Sequence, residues 1–90
     1  MVFVVERYLP GLSQAELIYS LGRLVSETDD SREGVPVRYL GSTIVPGDEA
    51  CYCQFEAPTG AAVAEANRRA GVPFDRIVPA VTVDPKGAER

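Results

Sequence analysis

The stretch Val35-Pro36-Val37-Arg38-Tyr39-Leu40-Gly41-Ser42-Thr43-Ile44-Val45-Pro46-Gly47-Asp48-Glu49-Ala50-Cys51-Tyr52-Cys53-Gln54-Phe55-Glu56 reads as a β-hairpin. Two runs rich in β-branched and aromatic residues flank Pro46-Gly47-Asp48, a turn signal, and Pro36 stands where a missing N–H is tolerated. The spacing predicts strands over residues 35–44 and 49–56, and Pro58 ends the second. On the N-terminal side of this hairpin, Ser13 is followed three residues later by Glu16, a capping box. Leu12 and Leu17 take the positions of a hydrophobic staple. The helix they open carries Leu17, Leu21 and Leu24 at one-face spacing, with Ile18 and Val25 beside them. It should fade near Ser26. On the C-terminal side, Thr59 is a plausible N-cap for a helix through Ala70, with Val63, Ala66 and Ala70 inward, Gly71 past its end and Pro73 beyond.

Further out lie the flanking strands. Residues 1–8 are rich in Val and Phe until Pro10-Gly11 breaks them, and residues 76–83 close the domain. Residues 85–90 form a polar tail expected to fray, so that a single domain spans 1–84. The order is βαββαβ, the ferredoxin-like α+β arrangement: a four-stranded antiparallel sheet with both helices on one face.

Period two then sorts the strands. Cys51, Cys53 and Phe55 point under the helices, while Tyr52, Gln54 and Glu56 point to the open face, where Val4, Glu6, Val78 and Ala80 are also placed. That face mixes apolar and polar groups and is large for a monomer to leave in water. A homodimer enclosing a cavity between two sheets is therefore expected.

Composition narrows the function classes. Ninety residues, 46% hydrophobic, make one globular domain rather than a disordered chain. A net charge of −4 argues against a nucleic-acid partner, because neutralising phosphates needs a basic face. Glu6 and Arg7 end the first apolar run, no stretch approaches the length of a membrane span, and two cysteines make no disulfide framework. A cytoplasmic protein without a membrane partner is the expectation.

Three groups of residues carry chemistry worth weighing. Cys51 and Cys53 are half of a metal site at best, and a disulfide between them would be strained, their Cα atoms lying ~7 Å apart on an extended strand. The plainer reading is two small core residues. Glu6 and Glu56 sit near strand ends and would suit proton transfer inside an apolar dimer cavity. Alternatively they are solvated charges paired with Arg7 or Arg38. Tyr39, Tyr52 and Gln54 offer hydroxyl and amide groups to a small ligand, or buried area to a dimer seam. The candidate ligand-binding set is thus Glu6, Arg38, Tyr39, Tyr52, Gln54 and Glu56. The acidic run Glu27, Asp29, Asp30 and Glu33 lacks calcium-loop spacing and reads as a solvated loop. No Gly-rich phosphate loop is present, and without histidine there is no Ser/His or Cys/His pair.

Several strings appear in a familiar order: Val4-Val5-Glu6-Arg7, Val37-Arg38-Tyr39-Leu40-Gly41-Ser42, Cys53-Gln54-Phe55-Glu56-Ala57-Pro58, Arg68-Arg69-Ala70-Gly71-Val72-Pro73 and Asp75-Arg76-Ile77. Together they resemble a bacterial family of unknown function, small ferredoxin-like proteins labelled nickel-binding after one member. The resemblance spans roughly residues 3–83 and implies a ferredoxin-like dimer and a divalent metal. Members of that family often carry histidine in the second helix, where this chain has Asn67. Imidazole is the natural nickel ligand, so nickel is not carried over to a chain without histidine, and no cofactor is assigned.

The leading functional expectation is a homodimeric module binding a small molecule or ion between its sheets. The alternatives are a cofactor-free dimeric enzyme (an isomerase, cyclase or monooxygenase) with Glu6 or Glu56 as base and Tyr52 or Tyr39 as acid, and a purely structural dimer.

Overall fold

The computed structural model describes residues 1–29 and 36–88. Strand β1 (Val2–Tyr8) leads to helix α1 (Gln14–Asp29), followed by the hairpin of β2 (Arg38–Val45) and β3 (Ala50–Glu56). Helix α2 (Gly60–Ala70), strand β4 (Arg76–Ala80) and a helical turn α3 (Pro85–Ala88) complete the order. The strands lie in the order β2-β3-β1-β4, every pair antiparallel. This is the ferredoxin-like α+β fold, with the two crossing helices packed on one face. No described helix is long and apolar enough to cross a membrane.

The capping box forms reciprocally: Glu16 N–H donates to Ser13 Oγ at 3.1 Å, and Ser13 N–H to Glu16 Oε2 at 3.2 Å. Leu12 and Leu17 line one small hollow below it. Helix α1 runs past Ser26 to Asp29. Its last turn is held by Thr28 Oγ1 donating to the Leu24 carbonyl at 2.6 Å and by Glu27, which lies 3.7 Å from Arg69 of α2. Its inward stripe is narrower than expected: Leu17, Leu21 and Leu24 are buried, but Ile18 and Val25 are exposed. Thr59 caps α2 through Ala62 N–H, and Gly71 ends it at φ 71°, a left-handed conformation that suits glycine.

Strand ends follow their partners. The second strand begins at Arg38; Val35 and the acidic residues Asp30 and Glu33 lie outside the described residues. The third begins at Ala50 because Glu49 takes φ 49° closing the 3-10 turn Pro46–Asp48. The fourth stops at Ala80 rather than at residue 83, where Ala80 pairs with Val2, the first residue of β1. Residues 85–88 form a turn in which Lys86 N–H donates to Asp84 Oδ1 at 2.7 Å.

The core lies between sheet and helices, with Phe3, Val5, Cys53 and Phe55 meeting Leu24, Val63 and Ala66. Arg7 belongs to this face as well, and it is fully buried. Residues 3, 5 and 7 of one strand share a side, so the same alternation that buries Phe3 and Val5 carries a guanidinium into the core.

Candidate functional site

Residues directly across a ladder share a sheet face. Glu6 is opposite Tyr52 and Arg76, Val4 opposite Gln54 and Val78, and Val2 opposite Glu56 and Ala80. Arg38 pairs with Glu56 on the same side. Five of the six expected site residues (Glu6, Arg38, Tyr52, Gln54 and Glu56) therefore stand on the open face. Tyr39 does not. It pairs with Phe55 and stacks on its ring at 5.2 Å on the helix side, because a bulge between Tyr39 and Gly41 resets the alternation of β2.

The open face divides into two ends. At one end the Glu6 carboxylate accepts from Arg76 Nε at 2.7 Å, and its side chain is only 12% exposed. Asp75 fixes this corner: its N–H donates to the Glu6 carbonyl and its carboxylate accepts from Tyr8 N–H. A hydrogen bond with Tyr8 pushes the ionisation of the Tyr52 hydroxyl upward. At the other end Glu56 and Arg38 lie 4.0 Å apart, both largely in water, a pairing worth little. Val2, opposite Glu56, stands four residues from Glu6, a separation of about 13 Å along the strand. The two glutamates thus do not converge on one reacting atom. Arg38, Tyr39 and Glu56 instead meet at the rim of a hollow of about 640 Å³ at the end of the sheet, with Met1 and Pro58.

A second constellation, which the sequence reading passed over, lies beneath the helices. Arg7 Nε donates to Cys53 Sγ at 3.4 Å, Nη1 to the carbonyls of Pro73 at 3.0 Å and Val72 at 3.4 Å, and Nη2 to Asn67 Oδ1 at 2.5 Å. Asn67 is held in turn by donating to the Val63 carbonyl at 2.8 Å. Among the described residues no carboxylate reaches this guanidinium. The expected pairing of Arg7 with a glutamate does not occur, because Arg7 faces the core and Glu6 and Glu56 face the other way. Burying a cation without an anion is expensive. The anion available is the Cys53 sulfur.

Cys53 is equipped for that charge. Cys51 Sγ is 3.7 Å away and Ser42 Oγ donates at 2.9 Å, so a hydroxyl and a guanidinium donor converge on one sulfur with a second thiol beside it. Ser42 is hydrogen-bonded in turn to the Tyr39 hydroxyl. The Cys51 hydrogen bond, helped by Arg7 and Ser42 against the cost of burial, pulls the Cys53 thiol down to about 6. The same bond, with burial, pushes Cys51 far above the ordinary thiol range. The two thiols thus shift in opposite directions. The plain reading of two small core residues was right about burial and incomplete about charge. The missing signal was parity: Arg7 stands opposite Cys51 in the ladder.

Within one chain, no three of His, Cys, Asp or Glu gather to hold a metal ion among the described residues.

Comparison with known proteins gives a consistent result. A family model described as nickel responsive protein SCO4226-like matches residues 3–80. No curated protein matches. The crystal structure of SCO4226 from Streptomyces coelicolor A3(2) is similar in fold, with a TM-score of 0.72 at 23% identity, covering 91% of this chain and 100% of that one. With nearly its whole folded length matched in order by the family model, the chain belongs to the SCO4226-like family.

Proposed function

We propose that the chain acts as a homodimeric binding module that holds a small polar organic molecule against its open sheet face. The observation behind this reading is the Glu6–Arg76 pair. A nearly buried carboxylate and a guanidinium at 2.7 Å stand on a face no helix covers, beside half-buried Val4, Val78 and Tyr52. Such a pair offers a donor and an acceptor set in an apolar surround, with Tyr52 and Gln54 adding a hydroxyl and an amide.

A second copy as the cover needs more area than the sheet face alone supplies. Four strands of about six residues give a footprint on the order of 400 Å², against roughly 800 Å² per partner in a stable interface. Val81 and Val83, exposed on the segment following β4, extend the apolar surface beyond the sheet.

The family description names nickel, and the residues of this chain do not fit that ion. Nickel favours imidazole and thiolate donors. The chain has no histidine, both thiols are buried, and Arg7 beside Cys53 opposes a cation there. The carboxylate-base alternative gains nothing from the geometry, because Glu6 is committed to Arg76 and Glu56 lies in water.

Light scattering of the chain and its Val78→Arg variant tests the proposal. A dimeric mass for the native chain and a monomeric mass for the variant are expected. A native monomer at micromolar concentration sinks it.

A further inference from the structure

The thiol pair lies on the opposite face from that ligand site and invites a different question. The Cys53 sulfur accepts from Arg7 Nε at 3.4 Å and from Ser42 Oγ at 2.9 Å, and a second thiol lies 3.7 Å away. A thiolate stabilised in this way is a nucleophile, and a neighbouring protonated thiol is placed to resolve what it forms. A structural pair of core cysteines would need no Arg7 and no Ser42.

Cys53 is itself fully buried, and its exposed hydrogen-bond partner is Ser42 at the sheet edge. Strand β2 is an edge strand, and exposed Ser42 stands between Cys53 and the surface. On its outer side Ser42, Tyr39, Ile44, Leu21 and Val25 line a hollow of about 350 Å³ between β2 and α1. Ile18 and Val25, which the amphipathic stripe would have buried, are the exposed apolar residues on the helical side of this hollow. A mostly apolar hollow ending at a hydroxyl, with a sulfur behind it, suits a small organic hydroperoxide.

We propose that Cys53 and Cys51 form a hydroperoxide-reactive dithiol, with Cys53 as the attacking thiolate and Cys51 as the resolving thiol. The Cys53 sulfur attacks the terminal oxygen of the hydroperoxide. The S–O bond forms, the O–O bond breaks, and the alkoxide takes a proton from solvent and leaves as the alcohol. Cys53 is then a sulfenic acid. The Cys51 sulfur attacks it, its proton joins the departing hydroxide as water, and a Cys51–Cys53 disulfide results. Two thiols and one hydroperoxide give one disulfide, one alcohol and one water.

The strand geometry makes this bridge reversible. Cα atoms two residues apart on a strand are separated by about 6.7 Å, at the upper limit for a disulfide, so the bond forms under strain and is readily reduced. The strain expected from sequence thus argues against a staple and for a switch.

The test is intact-mass analysis of the folded native chain after exposure to cumene hydroperoxide or hydrogen peroxide at neutral pH. Loss of two hydrogens is expected, faster with the organic hydroperoxide, with peptide mapping linking Cys51 to Cys53. Cys51→Ser should stop at a Cys53 sulfenic acid that dimedone traps; Cys53→Ser should leave Cys51 unmodified. Native thiols unchanged over the time in which free cysteine is consumed would overturn the proposal. So would Cys51 reacting equally well in Cys53→Ser. A rate that climbs with urea in step with global unfolding would also overturn it, and this measurement on the native chain decides the matter even if a variant fails to fold.

Discussion

Arg7 is the residue on which most of the interior depends. It is held by a thiol, an amide and two carbonyls, and after the Cys51 hydrogen bond it helps to draw the Cys53 thiol down. Replacing it with Met keeps much of the volume and leaves Asn67 and two carbonyls without their donor. A loss of about 3 kcal/mol is expected by urea denaturation. The pH profile follows from the same residues. The charged and titratable groups around Cys53 are Arg7 from β1, Tyr39 from β2 and Cys51 on its own strand, with neutral Ser42 and Asn67 completing the shell. Cys53 is depressed to about 6 in the fold against about 8.5 unfolded. Its contribution is therefore present above the unfolded value and lost as pH falls through the folded one. Cys51 is raised, so its contribution is present below the unfolded value and lost as pH rises beyond it. Between these limits the folded pair binds one proton while the unfolded chain goes from two to none. The pair's contribution to stability should peak near pH 8.5 and fall on either side. Replacing both cysteines by Ser should flatten that peak in a series of urea titrations. None of this was legible from residue types alone, because Arg and Cys read separately suggest a surface charge and a core filler. The register that sets Arg7 opposite Cys51 joins them.

At the scale of elements, local signals carried further. The Ser13–Glu16 box starts α1 where the chain says it should, and Ser13→Ala should cost about 1 kcal/mol in thermal or urea unfolding with no change in the sheet. Thr59 and Gly71 bracket α2 in the same way. Ends without local signals were misplaced. Helix α1 continues past Ser26, where Glu27 meets Arg69 of another helix, and β4 stops opposite Val2, the first residue of β1. Both ends lie against neighbours distant in sequence. The bulge after Tyr39 belongs to the same class: a one-residue slip, invisible in a run of β-formers, moved Tyr39 from the open face to the helix side.

For the whole molecule, the order β2-β3-β1-β4 gives the chain two sheet faces with separate chemistry. Strand β3 serves both, with Tyr52 and Gln54 toward the open face and Cys51 and Cys53 toward the helices. The architecture was readable because turn, cap and period agreed on it. The candidate site was readable only in part, since alternation assigns a face to each residue but does not bring Glu6 and Glu56 together. The Arg7 network has one more consequence, which concerns time rather than energy. Asn67, Val72 and Pro73, the acceptors for this guanidinium, lie 60 to 66 residues further along the chain. As the protein is synthesised, β1 emerges well before its partner β4, and contacts of such long range close slowly. Until α2 and the segment leading into β4 have emerged, Arg7 has only the Cys53 sulfur of its core acceptors to bond to. Strand β1 therefore cannot settle until α2 and the segment after it have been made.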